Sequence, residues 1–191
     1  MLLKHVLVSA ATGFIMFTAG GATAAPAPDF GDGGFEQPIT PANGFLVMPA
    51  GDSIGPWQVT TGAVDLVHDG FWQAAEGRQS IDLNTRNAAP GTLAQTFPTI
   101  PGDPYTVTYS LAGNPDGPSA LKTGQALIDG EAVQDFAFDV TGKSRTHMGY
   151  QMQKFAFVAK NTTTTLSFTS TTAGTRLGPV IDNVQVSTCG C

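Results

Sequence analysis

Cysteine is almost absent from this chain: the only two, Cys189 and Cys191, sit in the final "STCGC". No disulfide framework can staple a core from that position, so packing must hold the fold together. Two cysteines are also too few on their own for a structural zinc site. The Cys-x-Cys pair has three open fates: a small strained ring, a bridge to another chain, or free thiols. Basic charge is scarce as well, with 9 Lys and Arg against 15 Asp and Glu and a formal net charge of −6. Nucleic acid, whose phosphates demand basic patches, is therefore not an expected partner.

Histidine is nearly as rare. Beyond His5 only His68 and His147 remain, which leaves little material for acid–base catalysis. There is no Gly-x-Ser-x-Gly elbow, no His-Glu-x-x-His helix and no phosphate loop. A Ser/His/Asp triad can be assembled from distant residues, but nothing here points to one. A carboxylate pair for glycoside cleavage is harder to exclude, because Asp65, Asp69, Glu76, Asp82 and Asp116 all lie near loops. Acids in loops are usually solvated, and the expectation is a protein that is not an enzyme.

Long hydrophobic runs are missing too. The apolar stretch from Val6 to Phe17 falls short of the roughly twenty residues that span a bilayer. It follows Lys4 and His5 and leads to small residues ending in Ala22-Thr23-Ala24, the layout of an export signal. Residues 1–24 are thus expected to be a signal peptide, and the protein to be secreted and extracellular. Residues 25–32 read as a flexible lead, residues 33–187 as one domain, and residues 188–191 as a cysteine-containing tail.

What fills the domain is a series of short alternating segments broken by Gly, Pro, Asn and Asp. In "PYTVTYSLAG", Tyr105, Val107, Tyr109 and Leu111 share one phase, while Thr106, Thr108 and Ser110 take the other. Val64 with Leu66, Ile81 with Leu83, Phe155 with Phe157, and Leu166 with Phe168 repeat that pattern. Further strands are expected near 93–97, 125–128, 133–138 and 180–186. No stretch carries a long helical period with caps. About nine or ten strands in one domain predict an all-β, antiparallel β-sandwich or barrel.

Asp182 stands out. In "PVIDNVQV" it shares the phase of Val180, Val184 and Val186, which the alternation assigns to the core, with Ile181 opposite. A buried carboxylate must find donors or cations. Two readings stay open: backbone N–H groups or an arginine, or a structural calcium, which takes about six to eight oxygens.

Sugar rings are held by aromatic faces flanked by planar polar groups. Trp57, Trp72 and Tyr150 lie at segment ends among such residues, and each is either a core lid or a platform. In "FWQAAEGRQSIDLN", Trp72, Gln73 and Arg78 are expected to border a ligand cleft, joined by Asn114 and Asp116 from the rigid turn "AGNPDGPSA".

The blocks "GGFEQP", "WQAAEGRQSIDLN", "YTVTYSLAGNPDGP", "MGYQMQKFAFVA" and "GPVIDNVQV" resemble, in this order, the choice-of-anchor C family of secreted proteins, itself similar to the plant cell-wall family labelled domain of unknown function 642. The resemblance runs from about Gly33 to Val186. It implies a galactose-binding-like jelly roll and cell-wall polysaccharide binding. It also implies a structural calcium held between Glu36 of "GFE" and Asp182 of the last strand. The expected function is a secreted non-catalytic carbohydrate-binding module for cell-wall or environmental polysaccharide. The alternative is an extracellular structural or adhesive protein that binds another protein.

Overall fold

The computed structural model describes residues 29–86, 90–118 and 120–188. The expected signal peptide, the first half of the flexible lead and both cysteines lie outside the described residues. Twelve strands form two six-stranded sheets packed face to face. Every strand pairing is antiparallel.

One sheet has the order β1-β4-β5-β12-β7-β10, from β1 (Phe45–Pro49), β4 (Ala63–His68), β5 (Gln79–Asp82), β12 (Pro179–Thr188), β7 (Pro104–Gly113) and β10 (Gln151–Val158). The other has the order β2-β3-β6-β11-β8-β9, from β2 (Ser53–Ile54), β3 (Trp57–Thr61), β6 (Thr92–Pro98), β11 (Thr163–Ser170), β8 (Leu121–Ile128) and β9 (Glu131–Asp139). The result is the antiparallel sandwich that the alternation predicts, with three N-terminal strands added.

The core lies between the sheets and follows the period of two. Tyr105, Val107, Tyr109 and Leu111 point inward from β7, and Tyr109 meets Phe136 and Phe168 of the second sheet. Trp57 is fully buried, ringed by Phe30, Phe35 and Phe168, and its indole N–H donates to the Asp32 carbonyl at 3.0 Å. It is a core residue and not a platform.

The outer side of the first sheet positions the site. Register places Leu66, Ile81, Ile181 and Leu111 on the core side. Their neighbours Asp65, Ser80, Asp82, Asp182 and Ser110 therefore point outward, yet Asp82, Asp182 and Ser80 are fully buried. The loop joining β4 to β5 covers Asp182 and Ser80, while Asn114 after β7 and Gly178 before β12 cover Asp82. The β4–β5 loop is tied to the loop joining β9 to β10: Gln73 N–H donates to the Arg145 carbonyl at 2.7 Å, and Met148 N–H donates to Gln73 Oε1 at 3.2 Å.

This corrects the phase expected for Asp182. The register of β12 shifts between Asp182 and Gln185, and Asn183 there adopts φ 48°. The bulge inserts one residue, so Val186 faces the core while Val180 and Asp182 face outward. Ile181, expected on the outer face, is a core residue.

Candidate functional site

A concave cleft of about 250 Å³ opens on this outer face. Its apolar wall comes from Phe45 on β1, Val67 on β4, Phe71 and Trp72 in the β4–β5 loop and Leu177 before β12. Its polar wall comes from Asp65 on β4, Arg86 after β5, Asn114 and Asp116 after β7, Arg145 before β10 and Arg176 before β12.

The aromatics form a chain. Phe45 meets Phe71, and Phe71 meets Trp72, each at 5.5 Å in edge-to-face geometry. The Arg145 guanidinium lies over the Phe71 ring at 4.0 Å, and its Nε donates to Asp116 Oδ1 at 2.7 Å while Nη2 pairs with Asp116 Oδ2. A two-pronged ion pair resting on a ring fixes both partners, because the guanidinium plane matches the carboxylate and the ring at once.

Beneath them Asp82 fastens the loops. Its Oδ1 accepts the Asn84 N–H at 2.9 Å and the Gly178 N–H at 3.0 Å, and its Oδ2 accepts Asn114 Nδ2 at 2.7 Å. Asn114 Oδ1 in turn accepts the Asp116 N–H at 3.0 Å. A Cβ at Gly178 would stand 2.5 Å from Asp82 Oδ1, so only glycine lets that strand approach so closely. Burial pushes the Asp82 carboxyl up to about 8, against the hydrogen bonds from Asn114, Asn84 and Gly178. Burial likewise pushes Asp65 up to about 6, with the Thr85 hydroxyl and then the Arg86 charge opposing.

The structure brings together three of the expected site residues, Trp72, Asn114 and Asp116. Trp72 is 3% exposed and its indole N–H donates to Ser80 Oγ at 2.9 Å, so it backs the cleft as a lid and offers no open face. Gln73 lines a neighbouring recess with His147 and Tyr150. Arg78 lies in a third recess beside Glu36 and Gln79, 3.6 Å from Asp69. Sequence reasoning missed Phe71, Arg86, Arg145 and Arg176, and named Asp65 only among the acids near loops. Their signal was the arginine census: three of only four arginines converge here.

The calcium expectation can be tested on Glu36 and Asp182. Glu36 Oε1 accepts the Arg78 and Gln79 N–H groups at 2.8 and 3.1 Å. Asp182 Oδ2 accepts the Ala75 and Glu76 N–H groups at 2.7 and 3.1 Å, and Oδ1 accepts the Asn183 N–H at 2.6 Å. Both carboxylates thus staple one loop, 75–79, through its backbone N–H groups. A Cβ at Gly77, which has φ 55°, would meet Glu36 Oε1 at 2.3 Å. Among the described residues no group of three or more His, Cys, Asp or Glu is placed to hold a metal. The bonds at Asp182 are those of its backbone N–H alternative. A chelator is expected to leave the melting temperature unchanged. A fall of several degrees, reversed by added calcium, would contradict this.

The family described as "Protein of unknown function (DUF642)" matches residues 29–187. No curated protein matches the sequence. Among solved structures, the CBM22-1 xylan-binding domain of Paenibacillus barcinonensis Xyn10C is similar at 15% identity, covering 80% of this chain and 99% of that one, with a TM-score of 0.50. A family 35 carbohydrate-binding module from Clostridium thermocellum matches at 15% identity over 74% of this chain and 96% of that one, TM-score 0.46. TmCBM61, solved with beta-1,4-galactotriose, matches at 15% identity over 70% and 88%, TM-score 0.46. At these identities the first likeness shows a shared jelly-roll sandwich fold, and the other two carry no further argument.

Proposed function

We propose that this chain, which belongs to the DUF642 family, is a secreted carbohydrate-binding module that acts without chemistry on a cell-wall or environmental polysaccharide. The observation that carries the reading is the cleft: a ring stacked under a guanidinium, next to Asn114 and Asp116, all held rigidly over a satisfied Asp82. Preformed concavity, apolar faces and a few fixed planar polar groups are what sugar recognition requires. Sharing a fold with a xylan-binding domain agrees with this.

Catalysis is disfavoured by the acids themselves. Asp116 is committed to Arg145 and Asp82 to three donors, which leaves Asp65 as the one cleft carboxylate without such commitment. Glycoside cleavage by the usual route needs two. Export through the first 24 residues, an extracellular place and kinship with the choice-of-anchor C proteins belong to the same proposal, on the sequence features given above. Among the described residues no helix is long and apolar enough to cross a membrane.

A second reading, adhesion to another protein, is favoured by β10. It is the edge strand of its sheet and exposes Met152 at 79% and Val158 at 58%. Retention on a panel of insoluble polysaccharides separates the two. Selective retention on one glycan, released by its soluble fragments, is the expected result. Retention on none would move the weight to the protein partner.

A further inference from the structure

We infer that the ligand of this cleft is an acidic glycan, one whose sugar residues carry carboxylate or sulfate groups, and not a neutral chain. The inference rests on the reading of the cleft as a glycan site. It starts from an imbalance. The chain has net charge −6 and only four arginines, yet Arg86, Arg145 and Arg176 all line one cleft.

Their present duties do not account for all three. Arg145 is spent on Asp116 and on the Phe71 ring. Arg86 lies 5.5 Å over Phe45 and within electrostatic reach of Asp65. Arg176 makes no ion pair among the described residues, and both Arg86 and Arg176 are exposed at the rim. Asp82 beneath them is already met by three N–H donors. Two exposed guanidiniums on a cleft rim, in an acidic protein, therefore lack a salt-bridge partner among the described residues: Arg176, and Arg86, which acts on Asp65 only at a distance. The guanidinium fork suits a planar carboxylate or a sulfate ester.

The floor says that this anion sits on a sugar and is not a bare ion. Asp65 lines the cleft, where its carboxylate repels an isolated anion and accepts from a sugar hydroxyl. Arg145 and Arg86 lie over the Phe71 and Phe45 rings, so Val67 and Leu177 are the apolar lining left beside it for a pyranose ring. One ligand then meets the cleft as a whole: apolar ring surface on these side chains, a hydroxyl on Asp65, an acid group on Arg86 and Arg176. At about 250 Å³ the cleft is below the ~300–1,000 Å³ of typical ligand pockets, so it takes roughly one residue of a longer chain.

Calorimetric titration tests this with matched probes at low salt: an oligogalacturonate, its methyl-esterified form, a neutral galactan oligosaccharide and its sulfated counterpart. At least one acidic probe is expected to bind about tenfold or more tightly than its neutral match, the scale of charge-assisted hydrogen bonds. Whether the carboxylate or the sulfate arm shows the preference names the acid group. The paired variant Arg86→Gln, Arg176→Gln should erase the preference, while Arg78→Gln, outside the cleft, should keep it. All three positions are exposed, so folding is not at stake. If neutral probes bind as tightly as acidic ones, or the paired variant keeps the preference, the inference falls while glycan binding stands. If no probe and no polysaccharide of the panel binds, the reading of the cleft falls with it.

Discussion

Trp72→Ala is expected to destabilise the protein by about 3–5 kcal/mol, the range for truncating a buried large aromatic. The ring is 3% exposed, packs edge-to-face on Phe71 and donates its indole N–H to the buried Ser80 hydroxyl at 2.9 Å. Alanine would open a cavity behind the cleft and leave Ser80 without its partner. Trp72→Phe refills most of the volume and loses chiefly the hydrogen bond, so it should cost far less. Chemical denaturation of the two variants measures both numbers. A Trp72→Ala protein as stable as wild type would show that the indole is a surface platform after all.

Asp82→Ala is expected to cost about 3 kcal/mol or more, because three buried donors lose their acceptor and each is worth about 1–3 kcal/mol. The loss also unties the loops that carry Asn114 and Leu177, so ligand retention should fall together with stability. The same residue gives the protein a pH signature. Asp82 and Asp65 are pushed from 3.8 up to about 8 and about 6, chiefly by burial. The folded state therefore binds protons more tightly than the unfolded one. Stability from these groups is complete below their ordinary range near 3.8 and is lost as pH rises through about 6 and then about 8. The melting temperature should decline from mildly acidic to mildly alkaline pH, and the alkaline limb should flatten in Asp82→Asn. A melting temperature that rises over the same interval would contradict the assigned burial.

The sandwich was legible because its inner faces obey a strict alternation. Tyr105 to Leu111, Ile81 with Leu83 and Leu166 with Phe168 all stand where period-two reading puts them. β1 to β3 were not read as strands: "FLVMP" has no polar alternation and ends on proline, and β2 has only two residues. β3 did carry the signal, with Trp57 and Val59 inward and Gln58 and Thr60 exposed. Asp182 shows the limit of phase arguments. A bulge is one residue that sequence does not announce, and it reverses every assignment on one side of itself.

The site was half legible for a related reason. The turn "AGNPDGP" correctly drew attention to Asn114 and Asp116, since turn chemistry is local. Arg145 and Arg176 lie far along the chain from Phe71 and Asp65, and only the closing of two loops over the sheet brings them together. Trp72 and Arg78 flank the same short segment, yet the segment turns between them: one ring goes under the cleft and the other side chain leaves it.

The central claim is that the cleft between Phe71, Asn114 and Arg145 is where glycan binds. Titrating the isotopically labelled protein with the soluble fragments of whichever glycan retains it, and following backbone amide shifts, tests that claim most directly. The account predicts saturating shifts clustered at Val67, Phe71, Asn114, Asp116 and Arg145. Shifts confined to the recess of Gln73, His147 and Tyr150, or to the outer face of the second sheet, would contradict it.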